Sequence, residues 1–262
     1  MNALTPRQLE ILDIARSKGH VNVELLSSEF AVTPQTIRKD LNDLCNFGEL
    51  NRVHGGAVFP SNTVNVAYKA RREIGADSKR RIGETVASMI PDNASVILNI
   101  GTTTEQVALA LRNHKGLMVI TNNLNVAQIL SEAPDVELFV AGGLVRKSDG
   151  GIIGAAATDL IRQFKVDYAI IGTSAIDEEG SLLDFDYREV RVTHAIIEQA
   201  RTTILVADSS KFERRAPVEI SRLTELDVFV TDEAPPEQIV SKCKDAEVEI
   251  VVADGTHLMQ VA

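Results

Sequence analysis

Three threonines follow a glycine at the end of an apolar run, in the order Gly101, Thr102, Thr103 and Thr104. Residues 95–100 have the β-branched, apolar composition of a buried strand, and a helical pattern begins at Glu105. Glycine lets a ligand approach the backbone closely, threonine hydroxyls donate hydrogen bonds, and the free N–H groups at a helix N-terminus attract anions. This turn therefore predicts a phosphate site, with simple helix capping by threonine as the alternative.

Polar and glycine-rich turns also follow other predicted strands, and Lys211 comes soon after one of them. The turns contain Thr121 and Asn122, Gly142 and Gly143, and residues 172–174. In an open α/β sheet, ligands bind at the carboxyl ends of the strands, near the point where the strand order reverses. We therefore expect these turns to converge on one polyol phosphate, with Lys211 as its cation. The alternative for Lys211 is a solvated surface lysine.

A second polar set lies on a helix that is predicted to begin at Thr33-Pro34 and to end at Gly48. On a helical wheel, one stripe is apolar and should face a small core; it consists of Ile37, Leu41 and Leu44. The opposite face, its flank and the first turn carry side chains suited to base edges and phosphates, and we predict that they contact DNA. These side chains are Thr33, Gln35, Thr36, Arg38, Lys39 and Asn42.

The elements around that helix form a helix-turn-helix pattern. A shorter helix, with Leu25 and Leu26 facing inward, is predicted over residues 22–30, and a tight turn joins it to the helix at Thr33. A hairpin is predicted over 50–58, where Arg52 and His54 stand in the position of a wing that touches the DNA backbone or the minor groove. The alternative is a small helical domain whose polar face is merely solvated.

Beyond residue 78, predicted strands and helices alternate. The strands are predicted over 95–100, 117–121, 136–141, 168–172, 203–207, 228–231 and 248–252. Helices are predicted between most of them, over 79–89, 105–113, 126–131, 156–164 and 190–201. This alternation predicts an α/β fold with a largely parallel, doubly wound sheet. We therefore predict a winged helix-turn-helix domain over 1–58, a linker over 59–78 and a sugar-phosphate-binding sensor domain over 79–262.

Composition narrows the function further. The net charge is −10, but residues 1–60 carry six Lys or Arg against seven Asp or Glu, so overall charge does not decide whether DNA binds. Apolar runs stay shorter than the ~20 residues of a membrane span, and the N-terminus lacks a signal-peptide pattern, so we expect a cytoplasmic protein without membrane contact. The two cysteines and five histidines lack metal-site spacing, so neither a metal nor a cofactor is expected.

Two motifs in the first domain point to a family. Residues 32–41 read VTPQTIRKDL and residues 52–57 read RVHGGA. They resemble the signature of the DeoR family of bacterial repressors, and similarity continues over nearly the whole chain, through residues 101–103, 121–124, 141–143, 208–212 and 231–232. The resemblance implies a repressor that binds operator DNA and a ribose-5-phosphate-isomerase-like C-terminal domain. It also implies a tetramer, whereas spaced half-sites alone favour a dimer.

Two narrower stretches, residues 148–154 and 180–190, resemble the family members that respond to glycerol 3-phosphate. This resemblance implies that glycerol 3-phosphate releases the protein from its operator. It also implies that the polyol end of the ligand lies toward Asp149, Gly150 and Gly151. Another sugar phosphate is the alternative effector, because hydroxyl-donating loops do not identify one polyol.

The chain departs from the wider family pattern at two positions. Asn99 stands where many members have Asp, and Thr193 stands where many have Lys. The implied isomerase-like fold raises a second alternative, a sugar-phosphate isomerase with a DNA-binding appendage, for which Asp177 and Glu189 are candidate carboxylate bases. The missing Lys near Glu189 and the lack of a Walker-type lysine loop argue against an enzyme.

Overall fold

The structure is a computed structural model that describes residues 4–18, 20–53, 55–58, 68–253 and 257–259. The chain divides into two compact units, Met1–Val64 and Asn65–Ala262. His54, which we predicted to contact DNA, and residues 59–67 of the predicted linker lie outside the described residues.

The first unit combines helices with a small antiparallel sheet. Its described elements are α1 (Pro6–Lys18), β1 (His20–Asn22), α2 (Val23–Glu29), α3 (Pro34–Asn46), β2 (Asn51–Val53) and β3 (Gly56–Val58). Strand β3 lies between β1 and β2 and is antiparallel to both. Because α2 and α3 form the helix-turn-helix and β2–β3 forms the hairpin after it, the predicted winged helix-turn-helix is confirmed.

Side-chain caps explain where these helices begin. The Gln8 N–H donates to Thr5 Oγ1 at 3.3 Å, and the Thr5 N–H donates to the Gln8 side chain at 3.0 Å, which forms a capping box before α1. The side-chain oxygen of Asn22 caps α2. Thr33 caps α3 by accepting from the Thr36 N–H at 3.3 Å. Each cap satisfies N–H groups that have no partner inside the helix.

The core of this unit follows the predicted helical wheel with one exception. The inward stripe of α3 is fully buried, as predicted for Ile37, Leu41 and Leu44. Leu25 was predicted to face inward, but it is 69% exposed. The short helix α2 instead buries Val23 and Leu26, which are three residues apart and therefore share one face.

The second unit is built on a large sheet with helices around it. Its described strands are β4 (Ser95–Leu98), β5 (Leu117–Thr121), β6 (Val136–Val140), β7 (Leu144–Val145), β8 (Ile152–Ile153), β9 (Val166–Ile171), β10 (Ala175–Ile176), β11 (Ser181–Asp184), β12 (Ala200–Val206), β13 (Val218–Arg222), β14 (Val228–Thr231), β15 (Glu249–Val252) and β16 (His257–Met259). Its described α-helices are α4 (Tyr68–Glu73), α5 (Ala76–Met89), α6 (Thr102–Leu111), α7 (Leu124–Leu130), α8 (Ala155–Ile161), α9 (Tyr187–Glu198) and α10 (Glu237–Asp245).

The sheet order places one reversal near its centre. Strands β15, β14, β12, β9, β4, β5 and β6 run parallel in that order, and β16 pairs antiparallel with β15 at the edge. The chain builds outward from β4 to β6 and then returns to place β9 on the other side of β4. The gap beyond the carboxyl ends of β4 and β9 is therefore the point where an open α/β sheet binds ligands.

Helices cover both faces of this sheet. Within β4, Val96 and Leu98 pack into a cluster with residues of α5, α6 and α7, whereas Ile97 packs into a cluster with residues of α8, α9 and α10. Neighbouring residues of a strand point to opposite faces, so this alternation is what a sheet buried on both sides requires. The predicted doubly wound α/β domain is confirmed.

Several boundaries differ from the predicted ones. Helix α4 and the first residues of α5 occupy 68–78, which we had assigned to the linker, and α6 begins at Thr102 rather than at Glu105. Short strands β10, β11 and β13 form a separate antiparallel sheet that the sequence patterns did not predict. Across the described residues, no helix is both long enough and apolar enough to cross a membrane.

Candidate functional sites

Helix α3 presents its predicted outward face to solvent. Gln35, Arg38, Lys39 and Asn42 are exposed, and Thr36 is half-buried in the first turn. Donors and acceptors therefore line the accessible side of the helix, in the arrangement that base edges and phosphates require. The geometry places these five predicted DNA contacts together on one surface.

Two other predicted DNA contacts have roles inside the unit. The Thr33 hydroxyl caps α3 and also lies 2.9 Å from the Thr36 hydroxyl. Arg52 is exposed on β2, and its guanidinium donates to the carbonyl of Gly56 at 3.0 Å across the hairpin. Arg38 and Arg52 nevertheless border the same surface depression, so the helix and the hairpin offer cations side by side.

A cleft opens beyond the carboxyl ends of the neighbouring strands β4 and β9. The lining residues come from the turns after β4, β9 and β12, from α4, β11 and α9: Arg71, Ile100, Gly101, Thr102, Thr103, Gly172, Thr173, Ser174, Asp184, Glu189, Val206 and Lys211. Four predicted effector residues, Gly101, Thr102, Thr103 and Lys211, therefore line one cleft.

One end of the cleft is suited to a phosphate. Gly101 has a φ of +153°, which few residues other than glycine adopt, and this turn aims the N-terminus of α6 into the cleft. Thr103 lines the cleft, and its hydroxyl has no hydrogen-bond partner among the described residues. Free N–H groups and the positive end of the helix dipole favour an anion at this position.

Cations gather at the same end. Burial lowers the pKa of Lys211 to about 8, and the neighbouring charges of Arg214, Lys79 and Arg71 lower it too, while Asp208 opposes them. The Lys79 ammonium is also buried, 3.8 Å from Asp208. Lys211 and Lys79 share the carboxylate of Asp208, Arg214 lies near Asp208 and Asp184, and Arg71 pairs with Asp149, so an anion bound at this end would be attracted by several buried cations.

Carboxyl groups also line the cleft. The Asp184 side chain accepts from the Ser174 hydroxyl at 3.0 Å. Burial raises the pKa of Glu189 to about 8, and repulsion from Asp184 adds to the rise, while Arg146 opposes it from 2.5 Å. Carboxyl groups accept hydrogen bonds from hydroxyls, so the cleft lining contains groups suited to a polyol as well as groups suited to a phosphate.

Three predicted effector residues lie beneath the cleft rather than in its lining. The Thr104 hydroxyl contacts the carbonyls of Asn99 and Gly101, both at 2.8 Å. The Thr121 hydroxyl donates to the Leu98 carbonyl at 2.7 Å, and the Asn122 side chain donates to the Ile152 carbonyl at 3.2 Å. These three side chains therefore donate to backbone carbonyls, although the Asn122 side-chain oxygen is buried without a partner among the described residues. The sequence patterns did not separate this structural use from ligand binding.

The predicted polyol loop reaches the cleft through arginines. Asp149 is 4% exposed and pairs with Arg71 at 3.2 Å and with Arg146 at 2.7 Å. Gly150 and Gly151 follow Asp149 in sequence. Gly142 and Gly143 precede β7 and are exposed. None of these glycines is among the cleft-lining residues of the described chain.

The two positions that depart from the family pattern are in contact with each other. The Asn99 side chain donates to the Thr193 hydroxyl at 2.9 Å, and that hydroxyl donates to the Glu189 carbonyl at 3.1 Å. Both residues are almost completely buried. A neutral hydrogen bond therefore occupies the place where the family pattern would put a carboxylate and an ammonium.

Sequence reasoning missed some of the lining. Arg71 escaped because its segment was read as a linker, although the adjacent basic pair Arg71-Arg72 was visible. Asp184 escaped because its strand, β11, was not predicted; Glu189 was considered only as a possible catalytic base. Among the described residues, no cluster of three His, Cys, Asp or Glu side chains could hold a metal ion.

Comparison with known proteins finds a domain match for each of the two units. Residues 7–63 match the model of the DeoR-like helix-turn-helix domain, and residues 75–233 match the DeoR C terminal sensor domain. The chain is 44% identical over 246 residues to the glycerol-3-phosphate regulon repressor of Escherichia coli (strain K12), covering 94% of this chain and 98% of that protein. It is 43% identical to the protein of the same name from Haemophilus influenzae, covering 95% and 97%.

Among solved structures, ribose 5-phosphate isomerase A from Methanocaldococcus jannaschii aligns with a TM-score of 0.40 at 14% identity, covering 53% of this chain and 55% of that one. The similar proteins at higher identity are named as repressors of transcription rather than as enzymes. Both domain models match, and the relatives align along almost their whole length. The chain therefore belongs to the DeoR family of helix-turn-helix transcriptional repressors.

Proposed function

We propose that this protein represses genes of glycerol 3-phosphate metabolism and leaves its operator when glycerol 3-phosphate fills the cleft of the second unit. The names of its relatives support the choice of regulon. The observation that carries the choice of ligand class is that one cleft is lined both by the N-terminus of α6 with Lys211 and by the carboxyl groups of Asp184 and Glu189. The protein would work in the cytoplasm, where operator and metabolite meet.

The phosphate would lie on the turn after β4. Backbone N–H groups at the start of α6 and the hydroxyls of Thr102 and Thr103 would donate to its oxygens. Lys211 would supply a cation whose burial strengthens its attraction to the dianion, because water screens the charges less there. Charge-assisted hydrogen bonds of this kind are the strong ones in protein sites.

The glycerol hydroxyls would lie toward Asp184 and Glu189. Asp184 accepts hydrogen bonds as a carboxylate, and Glu189, with its raised pKa, can also donate one below pH 8. A ligand that lacks hydroxyls at this position would leave these buried groups without new partners. We therefore expect glycerol 3-phosphate to bind more tightly than inorganic phosphate.

Release from DNA requires that the ligand binds the DNA-free arrangement better than the DNA-bound arrangement. Couplings between sites are typically about 1–3 kcal/mol, which corresponds to about 5–150-fold in operator affinity.

The test measures binding to an operator that the protein itself has selected from random duplexes, with and without sn-glycerol 3-phosphate. D-ribose 5-phosphate in parallel tests the alternative effector.

A matched pair of variants connects the effect to the cleft. Thr103→Val removes a hydroxyl that lines the cleft, and it should weaken glycerol 3-phosphate about 10- to 150-fold, the value of a hydrogen bond to a charged group. Thr158→Val removes a similarly buried hydroxyl from the first turn of α8, and it should respond like wild type. The proposal fails if glycerol 3-phosphate leaves wild-type operator affinity unchanged.

A further inference from the structure

We propose that Arg71 gives up its contact with Asp149 to bind the effector's phosphate, and that this exchange moves an attachment of helix α4 from the Asp149 carboxylate to the ligand. The inference rests on the proposed function, because it concerns the same cleft and ligand. It adds Arg71 as a binding residue that the sequence patterns did not predict. It also identifies α4 as the helix whose contacts change when the ligand binds.

Arg71 lines the cleft and carries a buried donor that a ligand could satisfy. Its side chain is 15% exposed and lines the cleft together with Gly101, Thr102, Thr103 and Lys211. Its Nη2 donates to the Asp149 carboxylate at 3.2 Å. Its Nε is buried and has no hydrogen-bond partner in the described part of the chain. A buried donor without a partner is costly, and a phosphate oxygen in the cleft would satisfy it.

Asp149 can lose its contact with Arg71 and still have an ion-pair partner. Arg146 holds the same carboxylate with two hydrogen bonds, from Nε at 2.9 Å and from Nη2 at 2.7 Å. The Arg71 contact is longer and involves one nitrogen, so it is the weaker of the two. After the exchange, Asp149 keeps Arg146 and Arg71 gains a dianion, so neither buried charge remains unpaired.

The same ligand also competes for a second attachment of α4. The Thr102 hydroxyl lies 3.5 Å from the Arg71 carbonyl, and a phosphate on the α6 turn would take that hydroxyl as a donor. Two other contacts would remain: Tyr68 donates to Glu105 at 2.8 Å, and Lys79 donates to the Arg71 carbonyl at 2.8 Å. The ligand would therefore replace two attachments of α4, the Arg71 contact to Asp149 and the Thr102 contact to the Arg71 carbonyl, and would leave those made by Tyr68 and Lys79.

Helix α4 is the first described helix that follows the DNA-binding unit along the chain. A change in the attachment of α4 therefore lies close in sequence to that unit. The contacts that would differ between the ligand-bound and the ligand-free protein are those of Arg71 and Thr102.

The test measures binding of sn-glycerol 3-phosphate to the full chain by calorimetry, for wild type, Arg71→Met and Arg72→Met. Arg71→Met should lose about 10- to 100-fold in affinity, because a charge-assisted hydrogen bond and a nearby cation disappear. Arg72 is the adjacent, exposed arginine on the same helix, so its variant controls for charge alone and should bind like wild type. Equal binding by wild type and Arg71→Met would overturn the inference, whereas no binding by wild type would overturn the proposed function.

Asp149→Asn tests the exchange because it should raise the affinity for glycerol 3-phosphate, whereas Arg71→Met should lower it. This variant weakens the competitor for Arg71, so glycerol 3-phosphate should bind more tightly than to wild type, and the gain should vanish when Arg71→Met is added. Amide hydrogen exchange of residues 68–73 should change when glycerol 3-phosphate binds wild type and should stay the same when it is added to Arg71→Met. Unchanged exchange in wild type, or looser binding by Asp149→Asn, would overturn the exchange of partners.

Discussion

Lys211 and Glu189 line the same cleft, and each has a pKa of about 8 because burial disfavours its charged form. Their charge states therefore change together just above neutral pH. Below pH 8, Lys211 is a cation and Glu189 is neutral, which favours an anionic ligand. Above pH 8, Lys211 loses its charge and Glu189 gains one, so both changes oppose the anion.

We therefore predict that glycerol 3-phosphate binds with net proton uptake near pH 8 and that its affinity falls as the pH rises above 8. The dianion raises the pKa of Lys211, since it favours the ammonium form, and the complex then holds a proton that the free protein has partly lost. Calorimetry in two buffers of different ionisation enthalpy measures the uptake. Lys211→Arg keeps the charge but does not titrate in this range, so its uptake should shrink; undiminished uptake would rule out Lys211 as the group.

Residue types alone could not separate ligand donors from structural donors. Thr102, Thr103 and Thr104 are identical in sequence terms, yet only the first two line the cleft, because the Thr104 hydroxyl contacts backbone carbonyls beneath the turn. The difference depends on the direction of each side chain at the start of α6. Because the helix was predicted to begin at Glu105, three residues too late, the directions of these side chains could not be predicted.

At the scale of elements, helix α3 must be both well formed and correctly presented. Thr33 and Arg38 were both predicted to contact DNA, but their surroundings now separate them. The Thr33 hydroxyl accepts from the Thr36 N–H at the start of α3, whereas Arg38 is exposed on the outward face. One position therefore acts mainly on the helix, and the other acts mainly on DNA.

Thr33→Ala should lower the free energy of unfolding of the first unit by about 0.5–2 kcal/mol, the usual effect of losing an N-cap. Arg38→Ala should leave that free energy within about 0.5 kcal/mol of wild type, as exposed substitutions do. It should weaken binding to all DNA sequences and flatten the salt dependence if Arg38 contacts a phosphate, or cost about 1–3 kcal/mol at one base pair if it reads a base. Denaturation and DNA titrations at several salt concentrations measure both, and wild-type DNA binding by Arg38→Ala would contradict the assignment.

Periodicity was sufficient for long elements and insufficient for short ones. The parallel strands and α3 were predicted because each contains enough apolar residues in register to define a face. Strand β1 has three residues and β10 has two, which is too few for a pattern, and their pairing depends on distant partners. Helix α4 was missed for a related reason: it is six residues long and mostly polar, so it resembled a linker.

At the scale of the whole molecule, charge and symmetry decide how such a protein selects DNA. Residues 1–60 are nearly balanced in charge, so most of the net charge of −10 lies beyond them. A negative sensing unit repels DNA at long range, and one recognition helix reads few base pairs. Selective binding therefore calls for two copies of the first unit on one duplex.

We predict that the full chain is at least a dimer, held together through the second unit, and that it reads two half-sites on the same side of the duplex. Half-sites one helical turn apart, about 10 base pairs, present the same face to both recognition helices. Inserting about 5 base pairs rotates one half-site to the opposite side, so affinity should fall toward that of a single half-site, and inserting about 10 should restore part of it.

Sedimentation of the full chain and of residues 65–262, with titrations on the three duplexes, measures assembly and spacing together. A monomer at micromolar concentration, both free and on DNA, would contradict the prediction. Equal affinity for the three duplexes would contradict the paired half-sites alone, because a dimer that binds through one unit at a time is indifferent to their spacing.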